Sequence, residues 1–380
     1  NASVKEVITA SADMDVTRAT DATRVDENGL IEDVLSNVPR IDYTGGGCPH
    51  ILAEPMRTNL IPYSEDFNSW NTIQFVTVAE DTSETTSPSG NNTASKITIN
   101  SASTARRLFE VISTSSGSDY TFTLYAKKGT TDFIRVYFSS SIIDISFDLT
   151  NGTKTVSSGT GSIEAVGNDW YRIQGTGTSS LTTEVPQIQL SNSASVNDYL
   201  YIWGAQTEEG SYATSYIPTS GSTVTRNQDI FTRDGIGSLI NSTEGVLFLE
   251  MAALSDDGTN KRISLSDGTN TNRVVIAYST SNNIQIFIVG APAGTFAPSQ
   301  SIDITLNSKI AVSWSSTEAR FYVDGSPILV TLGDFSYSAS TLSELKTEDG
   351  AGGNKFFGKV KQLQVYDTAL TDTQLAALTS

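Results

Sequence analysis

"YLYIWGAQTEEGSYATSYIPTSGSTVTR", residues 199–226, opens as a strand and closes as a linker. Tyr199, Tyr201 and Trp203 alternate with Leu200 and Ile202, the period-two rhythm of a strand with one face in a core. Gly204 and Gly210 interrupt that rhythm, and Pro218 and Gly221 disfavour regular structure in the rest of the stretch. The stretch therefore predicts the end of one folded unit and a boundary near Arg226.

The same rhythm recurs on both sides of that boundary. Upstream, "SDYTFTLYAKKG" (118–129) sets Tyr120, Phe122 and Leu124 against Thr121, Thr123 and Tyr125. "DFIRVYFSS" (132–140) sets Ile134, Val136 and Phe138 against Arg135 and Tyr137, and "EVPQIQLSNS" (184–193) sets Ile188 and Leu190 against Gln187 and Gln189. Turn clusters such as "SPSGNNT" (87–93) separate these runs, which predicts a two-sheet sandwich or jelly roll over 57–226. Downstream, "STEGVLFLEMAAL" (242–254) is apolar on both faces, as a central strand is. Asp257-Gly258 and Asp267-Gly268 open a ten-residue echo and read as tight hairpin turns, as does Asp324-Gly325. The alternation slips between Val360 and Leu363, predicting a bulge, and Thr371 with Gln374 forms a capping box for one short C-terminal helix. A second sandwich is expected over 227–380. Residues 1–56 are dense in Gly and Pro and predict an extended N-terminal arm with a strand or two, ordered by a partner surface.

The totals agree with an all-β chain of two tandem sandwiches: 380 residues, only 17% charged, rich in Ser, Thr, Asn and Gly. Lys and Arg number 24 against 42 Asp and Glu, a net charge of −18 spread evenly along the chain. Such a surface repels phosphate backbones and anionic bilayers, which argues against nucleic acid and membrane partners. No apolar run is long enough to span a bilayer, and "NASVKEVITA" lacks the basic start and apolar centre of a signal peptide. Opening on Asn1, the chain reads as a fragment or a processed product. The lone Cys48 excludes an intrachain disulfide and a cysteine zinc site.

Several stretches resemble known families. "KIAVSWSSTEARFYVDGSPILV" (309–330) and the ending "FFGKVKQLQVYDTALTDTQL" (356–375) resemble concanavalin A-like, laminin G-like lectin/glucanase sandwiches. "RTNLIPYSEDFNSW" (57–70) with "YIWGAQTEEGSYATSYIPT" (201–219) looks like the first and last strands of a carbohydrate-binding-module jelly roll found in phage tail and other virion proteins. The segment from "ATRVDENGLIEDV" (22–34) to "SEDF" (64–67) is similar to the leader that precedes this module in tailed-phage structural proteins. The resemblance implies a virion surface protein, a tail or head fibre or spike component. Its expected partners are a host cell-surface glycan, other virion proteins through the N-terminal arm, and further copies of itself in a trimer. It carries no invariant catalytic set, so a non-enzymatic role is implied.

Sugar binding to a sandwich needs aromatic rings for the apolar face of a pyranose and planar amide or guanidinium groups for its hydroxyls. Strand parity places Arg135 beside Tyr137, and Gln187 beside Gln189, opposite their apolar neighbours; Tyr125, with Thr121 and Thr123, is expected to join them. Taken singly, each also reads as ordinary sheet surface. Trp170, Trp203 and Trp314 are expected in cores, and Trp70 as a plug at a sandwich end. Asp256, Asp257 and Asn260, or Glu65 with Asp66, offer oxygens to a structural calcium, but none has EF-hand spacing, so no cofactor is expected. His50, the sole histidine, reads as a loop or interface residue, and no G-x-S-x-G elbow supports a serine nucleophile. The expected function is glycan recognition in host attachment; a purely structural virion connector and a polysaccharide depolymerase or lyase stay open as alternatives.

Overall fold

The computed structural model describes residues 14–191, 193–280 and 282–380; the first ten residues and their terminal-signal reading lie outside the described part. Among the described residues, strands dominate and the only α-helix is Asp372–Leu378. The strands build two double-layered bodies, each with its own apolar core.

The middle body consists of two antiparallel six-stranded sheets. The first runs, edge to edge, through Thr153–Ser158, Asp144–Asp148, Phe133–Phe138, Pro186–Leu190, Arg107–Phe109 and Thr72–Gln74. The second runs through Thr160–Gly167, Trp170–Thr178, Asp119–Lys128, Tyr199–Glu209, Ser95–Ile99 and Val76–Ala79. Their inward residues are those that the alternation selects: Phe122, Leu124, Ile134, Val136, Phe138, Ile188, Leu200 and Ile202 are all buried in one cluster. Each such side chain contributes roughly 1.5–3 kcal/mol by leaving water. Phe122 and Phe138 meet edge to face across the sheets, with ring centroids 6.2 Å apart. Trp70 closes one end, tilted on Phe67 and donating its Nε1 hydrogen to the Tyr63 carbonyl at 2.9 Å.

Gly204 does not end its strand, as the sequence predicts; the strand runs on to Glu209 and stops before Gly210. Gly204 adopts φ +63, and the register against Asp119–Lys128 shifts there, so an extra residue bulges out of the ladder. The bulge reverses the parity of everything after it. Ala205 falls into the core, and Gln206 and Glu208 join Trp203 on the outer face of this sheet, which is itself covered.

The C-terminal body takes strands from both ends of the chain. One seven-stranded sheet is ordered Ser326–Leu332, Glu318–Val323, Ser308–Trp314, Gly245–Ala253, Gly358–Tyr366, His50–Ala53, Ile41–Asp42. The other is ordered Asp15–Thr17, Ile230–Arg233, Glu344–Lys346, Lys261–Ser266, Arg273–Ser279, Asn283–Val289, Ser299–Ser301. The described part of the N-terminal segment is therefore not a free arm: the surface that orders it lies in its own chain, and it supplies strands to both C-terminal sheets. The middle body is an insertion between His50–Ala53 and Ile230–Arg233. The two chain crossings run side by side, Arg57–Asn59 pairing antiparallel with Val224–Arg226.

Within this body Gly245–Ala253 is central, flanked by Ser308–Trp314 and Gly358–Tyr366, and the expected bulge skips Lys361. Asp324 and Gly325, both at positive φ, make the two-residue hairpin turn between Val323 and Ser326. Asp257-Gly258 does not make a hairpin. It lies in a connection that leaves one sheet after Ala253 and enters the other at Lys261, because consecutive strands of a sandwich can change layer as readily as pair. The closing helix has its Thr371–Gln374 capping box and seats Leu375 against Val246, Phe248, Ala311 and Tyr322.

This topology sets an expectation for fragments. Residues 57–226 contain every strand of the middle sheets and should show a cooperative thermal transition by circular dichroism. Residues 227–380 lack the 15–17, 41–42 and 50–53 strands and should show none, or aggregate; a transition in that fragment matching the intact chain would mean the N-terminal strands are dispensable.

Candidate functional site

Three places in the structure concentrate polar side chains: the junction where the chain passes between bodies, the outer face of the first middle sheet, and a cleft over the second.

At the junction, Asp229 and Glu54 are buried and gather three buried arginines. Asp229 accepts from Arg18 Nη1 at 2.8 Å, from Arg40 Nη2, and from the Glu54 backbone N–H at 2.9 Å. Glu54 Oε2 accepts from Arg40 Nη1 at 2.7 Å, Arg226 Nη1 at 2.6 Å and Ser215 Oγ at 2.6 Å. Arg226 Nη2 also donates to the Pro55 carbonyl at 2.7 Å. Burial alone would raise the Glu54 carboxyl, but the charges of Arg226 and Arg40 outweigh it and hold it down at about 2. Removing one partner strands the others as buried charges.

The outer face of the sheet carrying Phe133–Phe138 is a flat polar array. Register sets Ser146, Arg135, Gln189, Arg107 and Gln74 in one row across five strands, and Asp144, Tyr137, Gln187, Phe109 and Thr72 in the next. Arg135 grips Asp144 with two parallel bonds of 2.6 and 2.7 Å and donates to Gln189 Oε1 at 3.0 Å. Gln189 donates to Gln187 Oε1 at 3.1 Å, which also receives Arg107 Nη1 at 3.2 Å; Arg107 Nε reaches Gln74 Oε1 at 2.9 Å. The guanidinium of Arg135 lies 4.7 Å from the centroid of the Tyr137 ring. The bonds to Asp144 raise the Arg135 guanidinium against a smaller opposing effect of burial, so it stays charged. Phe133, 44% exposed, continues the line of Arg135 and Tyr137 on this face. A shallow hollow of about 280 Å³ opens beside it, lined by Phe133, Arg135, Ser146, Gln189, Ser191 and Ser193 among others.

Four of the five sequence-selected residues thus share one face. Tyr125 does not. It lies on the other sheet, on the side away from the core, only 5% exposed, and packs edge to face on Trp203 with centroids 5.4 Å apart. Thr121 and Thr123 are buried on the same side. This outer face is covered, by Trp170, Tyr201, Trp203 and Tyr216 in a small second core and by the Ala22–Val25/Ile31–Val34 hairpin, whose Ile31 N–H bonds the Pro88 carbonyl at 2.9 Å. Alternation assigns a side chain to a face, but not what lies on top of it. Phe133, Arg107, Phe109 and Asp144 complete the open face; Phe133 shares the parity of Arg135 and Tyr137 on its strand, and the other three lie on strands from which the sequence offers no candidate.

The remaining candidates are structural. Trp170, Trp203 and Trp314 are buried. Glu65 accepts from Trp203 Nε1 at 2.9 Å and Tyr216 Oη at 2.8 Å, and burial raises its carboxyl; Asp66 caps the turn at Ser69. Asp257 holds Thr259 and Lys261, the latter at 2.6 Å. Among the described residues no three His, Cys, Asp or Glu side chains gather as a metal-holding group. His50 is not in a loop: it is a buried strand residue with Nε2 3.3 Å from Asp42 Oδ1.

Residues 251–376 match the model of the concanavalin A-like lectin/glucanases superfamily, which identifies the C-terminal body as a domain of that fold. No curated protein matches the chain. Among solved structures, Ruminococcus gnavus IT-sialidase CBM40 bound to alpha2,3 sialyllactose is similar at 13% identity and a TM-score of 0.33, over 38% of this chain and 86% of that one. The same module bound to alpha2,6 sialyllactose gives 12% and 0.34, over 39% and 92%. A heptameric SAP-like pentraxin from Limulus polyphemus gives 16% and 0.30, over 37% and 70%.

The junction makes a prediction. Asp229→Asn leaves Arg18 and Arg40 facing a neutral group and should cost about 3–5 kcal/mol in urea unfolding. Glu54 sits below its ordinary 4.5, so its contribution is complete above pH 4.5 and is lost as pH falls toward about 2. A stability profile flat from pH 5 to pH 2.5 would show that Glu54 is not held charged by its arginines.

Proposed function

We propose that this protein is a non-catalytic glycan-recognition protein and that the outer face of the middle body is its binding surface. The observation that carries the reading is the continuous hydrogen-bonded chain Asp144–Arg135–Gln189–Gln187–Arg107–Gln74, which links the two rows and is bordered by Phe133, Tyr137 and Phe109. Side chains already fixed lose little entropy on binding. The bonds within the row leave spare donors on the guanidiniums and spare lone pairs on the amides, the groups that hydroxyls require. The exposed Phe133 ring and the half-buried Tyr137 and Phe109 rings beside them offer an apolar surface to a pyranose. A flat face of this kind takes a chain side-on, over two or more sugar units. The lectin/glucanase match of residues 251–376 supports a carbohydrate setting for the whole chain.

In the finer reading the glycan belongs to a host cell surface and the protein is displayed on a virion, as a trimeric fibre or spike component whose copies multiply weak contacts. That setting rests on the resemblance of the leader and the jelly-roll strands to phage structural proteins.

Arg135→Ala and Phe133→Ala should each lower binding of the intact protein to host cells or to a glycan array by about tenfold or more, with the melting temperature of Phe133→Ala unchanged. Stripping the surface polysaccharide should abolish wild-type binding. Full binding by both variants would remove this face from consideration, and release of oligosaccharides from the polysaccharide would replace recognition by cleavage as the function.

A further inference from the structure

The folded-back N-terminal segment encloses a space that no part of the proposed face uses. Between the Ala22–Val25/Ile31–Val34 hairpin and the outer side of the second middle sheet lie two adjoining cavities of about 300 and 440 Å³, which share Val25, Ile31, Thr44, Tyr125 and Glu164 as walls. These volumes fall at the lower end of small-molecule sites. The floor is a cross-strand row, Glu164 opposite Arg172 and Arg172 opposite Tyr125, with strands about 4.8 Å apart.

Arg172 bonds the Thr214 carbonyl through Nη2, and its guanidinium lies 5.8 Å from the centroid of the Tyr125 ring. Burial raises the Tyr125 phenol, Arg172 opposing and Glu164 adding, so it stays a protonated donor. Glu164 is exposed at the rim and supplies an acceptor. Across from it Val25 and Ile31 of the hairpin and Pro88 offer apolar surface, beside the carboxylates of Asp26 and Glu27.

We propose that this cleft is a second binding site, for a single uncharged pyranose unit entering end-on. Its floor presents donor, cation and acceptor to the ring hydroxyls, and its hairpin wall presents apolar groups to the C–H face. Asp26, Glu27, Asp42, Glu54 and Glu164 line the two cavities against Arg24, Arg172 and Lys359, an acidic excess that disfavours an anionic guest. The cleft assignment rests on the glycan reading but uses a different surface: the open face takes a chain from the side, and the cleft takes a terminal residue.

The test is saturation-transfer NMR on the intact protein with methyl α-D-glucopyranoside, methyl α-D-galactopyranoside and N-acetyl-D-glucosamine, comparing wild type with Thr44→Trp, Glu164→Ala and Arg135→Ala. Thr44 lines both cavities, so Trp fills the space; Glu164→Ala removes the rim acceptor from an exposed position and keeps the test valid where Trp disturbs the loop. The expected result is transfer to at least one sugar in wild type and Arg135→Ala, reduced fivefold or more in Thr44→Trp and Glu164→Ala. No transfer to any of the three in wild type overturns the site, as does transfer that both cleft variants retain. Loss in Arg135→Ala alone assigns the monosaccharide to the open face, overturning the cleft while leaving the proposed function intact.

Discussion

Glu54 and Asp229 are the two carboxylates on which the arrangement of the chain depends. Between them they bind Arg18 and Arg40 from the N-terminal segment and Arg226 from the returning crossing, all nearly without water. Charges so buried are tolerable only when each has its partners, so the three passages of chain through this point must be present together or the ions stand unpaired in a dry region. The network therefore acts as a lock on connectivity. It holds the insertion of the middle body into the C-terminal body at the point where the Arg57–Asn59 and Val224–Arg226 crossings lie side by side.

That lock has a consequence for function. Because the N-terminal segment is drawn into the C-terminal sheets, its hairpin is carried across the second middle sheet, and the aromatic side chains there become a covered layer with a cleft at its margin. The first middle sheet, facing the other way, stays open. One sandwich thereby presents two unlike surfaces: a flat one whose polar groups are bonded to each other, and an enclosed one floored by Glu164, Arg172 and Tyr125. On the proposed reading, the first takes an extended glycan and the second a terminal sugar.

Much of this was legible where the physics is local. Arg135 with Tyr137, and Gln187 with Gln189, could each be set opposite their apolar neighbours because two adjacent residues of a strand point opposite ways whatever the tertiary fold; that the two pairs share one face came only with the pairing of their strands. The Thr371–Gln374 cap, the Asp324-Gly325 turn and the slip near Lys361 are likewise decided within a few residues. Tyr125 follows the same parity rule and still went to the wrong site, since parity is silent about which of two sheets a strand joins and about what covers it. Gly204 reads as a stop because a glycine within a strand pattern can mark either an end or a bulge; only the paired register shows that the ladder resumes.

By itself, then, the sequence determined the all-β class, the core-facing side of the middle strands and the parity of each candidate binding residue, all of which follow from side-chain period and turn chemistry. The tertiary structure alone decided that residues 15–53 complete the C-terminal sheets, that the hairpin roofs Tyr125, and that Arg18 meets Asp229. The reason is separation: the partners in the junction lie 14 to 211 residues apart, and ion pairs, unlike strands, leave no periodic trace in the chain that makes them.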